Sequence, residues 1–100
     1  MGLRKIIADA ILKSKLNNLY RQTNDAFRDI TQRVSLKSLE KSLGIAILQS
    51  VCLSGRRDYK KLKENNSNQT FFEERDKDFY SLFDEIDSII QRYTNELYSL

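Results

Sequence analysis

The sequence predicts an all-α fold, an antiparallel bundle of three long helices over approximately residues 3–33, 36–64 and 71–98. Three observations lead there. The chain has no proline and only three glycines, at 2, 44 and 55, whereas a sheet protein needs a turn roughly every 8–12 residues and draws on both residue types to make it. Apolar residues recur at steps of three and four through each segment, the spacing that gathers them on one side of a helix. One stretch, Glu64 to Thr70, reads Glu-Asn-Asn-Ser-Asn-Gln-Thr; its short polar side chains compete with helical backbone bonds, so it is a loop. One hundred residues make one domain, and 40% apolar against 31% charged residues place it with globular rather than disordered chains.

The first segment keeps its spacing through Leu3, Ile7, Ile11, Leu12, Leu16, Leu19, Thr23, Ala26, Phe27, Ile30 and Val34. The stripe slips by one residue at Ile11–Leu12, and Thr23-Asn24-Asp25 offers good N-cap residues, a place for a gentle bend or a break. Arg4, Lys5, Lys13 and Lys15 beside an apolar face also suit a helix lying on a membrane. Bundle packing is the preferred expectation, because two further amphipathic segments stand ready to cover that face.

In the second segment Ser35 is positioned to cap, and Leu36, Leu39 and Leu43 lead into Ile45-Ala46-Ile47-Leu48. Four apolar residues in a row reach every side of a helix, so this part should be surrounded by protein. Gly44 costs helix stability, and its use is a close contact or a kink. Residues 35–45 read weakly as the first helix and turn of a helix-turn-helix, but core material follows where a recognition helix should stand. Breaks at 22–24 or 54–55 would divide the chain into four or five shorter helices.

The third segment has the clearest pattern. Phe72, Phe79, Phe83, Ile86, Ile90, Tyr93 and Leu97 share one face, widened by Leu82 and Ile89. Thr70 and Glu73 have capping-box spacing. Glu73, Glu74, Asp76 and Asp78 sit near the start, where the helix dipole favours acids.

Several chemistries are excluded. The chain has no histidine, so it holds no Ser–His or Cys–His pair. One cysteine, Cys52, is too few for a zinc site and is read as a buried thiol. Asp76-Lys77-Asp78 opens like a calcium loop, but Tyr80 and Ser81 stand at a ligand position and at the required glycine. No phosphate-binding glycine loop is present. The expectation is a non-enzyme with no cofactor, no metal and no catalytic residue. No segment is apolar enough to span a membrane, the start lacks signal-peptide and myristoylation patterns, and the expected location is cytoplasmic. The triplets Asn65-Asn66-Ser67 and Asn68-Gln69-Thr70 are read as chance matches to a glycosylation pattern in a polar turn. Leu19-Tyr20-Arg21 spells the tripeptide of the LYR-motif mitochondrial proteins, but nothing is carried over from three residues. Leu19 is read as core-facing, with Tyr20 and Arg21 at its edge.

Charge is divided along the chain. Residues 1–65 carry 14 Lys or Arg against 6 Asp or Glu, a net of +8, and residues 66–100 carry 3 against 8, a net of −5. An acidic last helix is therefore expected to lie against basic neighbours. The densest cluster is Arg56, Arg57, Lys60, Lys61 and Lys63, with 56, 60 and 63 on one helical face. It is the candidate partner-binding site. The leading expectation is a small protein-binding module, an adaptor, inhibitor or immunity-type factor, acting through a helical face or this patch. In size, basic character and helical make-up the chain resembles the bacteriocin immunity proteins of Gram-positive bacteria, without a shared motif. The alternatives are a nucleic-acid-binding regulator using the same cations and a homo-oligomer, such as a homodimer, that pairs along the 71–98 stripe.

Overall fold

The computed structural model describes residues 2–66 and 69–99. Three helices follow one another: α1 over Gly2–Ser35, α2 over Lys41–Glu64 and α3 over Gln69–Tyr98. They form the expected antiparallel three-helix bundle, a rod of 61 × 20 × 16 Å. Neither α1 nor α2 breaks. Thr23 is buried inside α1, its good capping chemistry overridden by the packing of the turns around it. The polar loop expected at 64–70 shrinks to a short link whose residues 67–68, with parts of both glycosylation triplets, lie outside the described residues.

The turn between α1 and α2 takes five residues, so α2 starts later than the sequence suggested. Ser35 belongs to α1, and Glu40 precedes α2 without a side-chain cap. The Ser38 amide donates to the Arg33 carbonyl and the Lys37 amide to the Val34 carbonyl, both over 3.0 Å, with Lys37 at φ 59°. That pair of bonds around a left-handed residue is a Schellman ending, which satisfies carbonyls the helix would leave free. An unbroken α2 after this turn is not a helix-turn-helix. At the third helix, Thr70 already lies within α3, two residues too deep for a capping box, and the acids fall in its second and third turns.

α2 is the central element, and glycines make it thin. A Cβ at Gly44 would stand 2.5 Å from the Val34 Cγ2 of α1. At Gly55 it would stand 2.9 Å from Phe83 of α3 and 3.2 Å from Thr23 of α1. Close approach, rather than a kink, explains both. The core on either side is Leu12, Leu16, Phe27, Ile30 and Val34 from α1, Leu48, Cys52 and Tyr59 from α2, and Phe72, Phe79, Leu82, Phe83, Ile86 and Tyr93 from α3. Aromatic rings fill one end: Tyr59 stacks on Phe79 with centroids 4.1 Å apart, and Tyr20 meets Phe79 edge-on at 5.5 Å. Most of the α3 stripe is thus covered from within the chain, with Ile89 and Ile90 half-buried and Leu97 exposed.

Two expectations about burial are corrected. Leu3, Ile7 and Ile11 of the N-terminal stripe are exposed, as is Ile6. The reason is length. Gly44 faces Val34 and Gly55 faces Thr23, so this antiparallel register brings the end of α2 level with about residue 14 of α1. No helix remains to cover the turns before it. Nor is 45–48 surrounded on all sides. Ala46 is exposed, and Leu43 and Leu53 on the same face are 50% and 69% exposed, because α1 and α3 pack against only one side of α2.

Candidate functional site

The five cations of 56–63 all lie on α2, but the structure separates them into two groups. Arg56 and Lys63 turn toward α3. Arg56 donates to Asp87 at 2.7 Å, comes within 4.0 Å of Asp84, and lies over the Phe83 ring at 4.9 Å. Lys63 donates to both carboxylate oxygens of Asp76, at 3.1 and 3.2 Å, and lies over the Tyr59 and Tyr80 rings. The Asp76 carboxylate holds the Lys63 ammonium charged above the ordinary lysine range. Arg28–Glu85 at 3.1 Å and Lys41–Glu96 at 2.7 Å complete the inter-helix pairs. Lys41 holds the Glu96 carboxyl below its usual range. Each such pair at a wet surface contributes little by itself, because water screens the charges. Together they match the basic first two helices to the acidic third, as the charge division suggested.

Arg57, Lys60 and Lys61 form the second group and face solvent. The acids beside them are on α2 itself: Asp58 lies 3.6 Å from Arg57, and Glu64 lies 3.9 Å from Lys60. At about 100° per residue these three share the outer side of α2 with Leu43, Ala46, Ser50 and Leu53. The result is one strip along the helix, mainly apolar in its N-terminal half and basic in its C-terminal half until Glu64 at its end, opposite the buried line of Leu48, Cys52 and Tyr59. Sequence reasoning found the cations but not Leu43, Ala46 and Leu53 beside them. Their shared face is legible in the spacing; that it stays uncovered is a tertiary fact.

Behind the strip, Cys52 and Tyr59 carry shifted acidities. Cys52 is buried, as expected, with its thiol 3.5 Å from Asp87 Oδ1 and 3.9 Å from the Phe83 carbonyl. Burial pushes its pKa up, so it stays a thiol. The Tyr59 hydroxyl donates to Asp76 in a short bond. Burial first, and that bond second, raise the Tyr59 pKa well above the usual phenol value. A pKa raised in the fold contributes stability that is fully present below the unfolded value and is lost as pH climbs from there through the folded one. Unfolding should therefore become easier from about pH 8.5 for the thiol and about pH 10 for the phenol. Thermal melts across pH 7–11 are expected to show this decline, and Tyr59→Phe should flatten its upper part. A Tyr59→Phe slope equal to wild type above about pH 10 would contradict the buried phenol.

A shallow depression of ≈ 410 Å³ lies between Arg56, Tyr59, Lys60, Lys63, Glu64 and Tyr80. A larger one of ≈ 480 Å³ lies at the other end, beside the α1–α2 turn and the buried Tyr93. Among the described residues no group of three or more Cys, Asp or Glu is placed to hold a metal ion, and no helix is long and apolar enough to cross a membrane. No known family, curated protein or solved structure matches the chain.

Proposed function

We propose that the protein is a non-enzymatic binding module that docks an acidic, amphipathic helix of another protein along the outer side of α2. The observation that supports this reading is the strip itself. Leu43 and Leu53 stay exposed in line with Arg57, Lys60 and Lys61, although the inner side of the same helix is fully used. An amphipathic helix would lay its apolar face on the leucines and its acids on the cations, one of the recurrent modes of peptide recognition. Nucleic acid is the weaker fit: two of the five cations already hold α3 carboxylates, and leucines add nothing to phosphate binding.

The test is pull-down from nuclease-treated native lysate with wild type and with a charge-reversed variant, Arg57→Glu with Lys60→Glu and Lys61→Glu. These side chains face solvent, so the variant should melt within about 1 kcal/mol of wild type. The wild type is expected to retain an acidic protein that the variant and Leu53→Glu both lose. Equal capture by all three would overturn the reading. So would nucleic-acid binding by wild type that falls steeply with salt and is lost in the charge-reversed variant.

A further inference from the structure

The first three turns of α1 carry a second apolar face that the bundle does not use. Leu3, Ile6, Ile7 and Ile11 are 71%, 65%, 51% and 51% exposed, and Ala10 is exposed among them. At about 100° per residue these five centre roughly 160° around the helix from the line of Leu12, Leu16, Phe27, Ile30 and Val34 that packs on α2 and α3. The slip in the stripe at Ile11–Leu12 is therefore a change of side. One apolar face ends and another begins, on a helix that runs through both without interruption. Single exposed aliphatics are ordinary, but five on one face form a patch that calls for an occupant.

The charges around the patch say what the occupant is. Arg4 and Lys15 flank one edge of the face and Lys13 the other, at the angles from which long side chains reach down past an apolar surface to headgroups. Lys5 lies on the far side, and Asp9 is the single acid in this stretch, also turned away from the patch. A second copy of the same segment would bring like charges together. A nucleic acid would leave the isoleucines uncovered. We propose that this free end of α1 lies in the plane of an anionic membrane surface, with Leu3, Ile6, Ile7, Ala10 and Ile11 entering the interface and Arg4, Lys13 and Lys15 meeting lipid phosphates. It lies on the bilayer rather than across it, as an amphipathic helix with a basic margin does. The remainder of the bundle lies on the side of α1 turned away from the bilayer, with α2 and its outer strip still open. The inference is independent of the α2 reading, because the two surfaces share no residue.

Sedimentation of the full chain with phosphatidylcholine vesicles, with and without phosphatidylglycerol, tests this directly. The chain is expected to pellet with the phosphatidylglycerol vesicles only. Replacing Arg4, Lys13 and Lys15 by Gln should weaken that partitioning on the order of a hundredfold. Ile7→Glu with Ile11→Glu should abolish it with little change in melting temperature, since both side chains are half exposed and lie outside the buried core. The chain has no tryptophan, so Ile7→Trp supplies a clean probe whose emission should shift to the blue on lipid addition. The proposal is overturned if phosphatidylglycerol vesicles fail to pellet the chain, or if the double Glu variant still pellets. It is equally overturned if, without lipid, light scattering shows a dimer that the double Glu variant converts to monomer, for then a second copy covers the face.

Discussion

Phe83→Ala is expected to cost about 3–5 kcal/mol of folding free energy. The ring has no exposed surface. It closes on the Gly55 backbone from one side, lies 6.0 Å from the Phe79 ring and 6.5 Å from that of Tyr59, and carries Arg56 over its face at 4.9 Å. Truncation leaves a void between two rigid helices, which cannot collapse without losing the contact at Gly55. Total stability for a domain of this size is about 5–15 kcal/mol, so the loss should lower the melting temperature by something on the order of 20 °C. Leu53→Ala is the control, since its side chain is 69% exposed and should move stability by no more than about 0.5 kcal/mol. Thermal and urea melts would measure both. A Phe83→Ala loss below about 1 kcal/mol would place that ring outside the core.

Gly55→Leu acts at the same spot from the opposite side, and two effects compete. Leucine in place of a mid-helix glycine gains up to about 1 kcal/mol of helix propensity. Against that, the first added carbon would meet Phe83 at 2.9 Å and Thr23 at 3.2 Å, and leucine adds three more heavy atoms beyond it. Overpacking of this kind costs roughly 1–3 kcal/mol and more where neither neighbour can give. Both neighbours here are themselves buried, so the steric loss wins, and a net destabilisation of about 2 kcal/mol is expected. Gly2→Ala, with nothing within 4 Å of the added carbon, should cause no loss. A Gly55→Leu chain that melts at or above wild type would refute the close helix approach.

How much was legible in the sequence follows from where each signal resides. Periodicity in 71–98 marks one face through seven residues, and the structure buries Phe72, Phe79, Phe83, Ile86 and Tyr93 of that set. The division of charge foretold that α3 lies against basic helices, because opposite signs at facing positions are a property of composition. What escaped were facts of length and register. Whether Leu3 and Ile7 are covered depends on where α2 ends relative to α1. That in turn depends on a five-residue turn closed around a left-handed Lys37, where no glycine announces it. The basic cluster shows the same limit. Spacing places Arg56, Lys60 and Lys63 on one face, yet only the position of Asp76 and Asp87 across the groove decides that Arg56 and Lys63 engage α3 while Lys60 stays beside Glu64 of its own helix. Glycine was read most successfully at Gly44, where a close contact was one of the two expected uses.

Both proposed surfaces depend on α1 and α3 covering only one side of α2 and on α1 outrunning its partners. Amide hydrogen exchange on the free chain tests that arrangement most directly, since protection ranks segments by the cost of opening them. Amides in the middle of α2, around Leu48 to Tyr59, should be the slowest in the molecule and exchange only with global unfolding. Those of residues 2–11 should exchange far faster than those of 12–34, although both belong to one helix. Equal protection along the whole of α1, or an α2 that exchanges ahead of α1 and α3, would contradict the account.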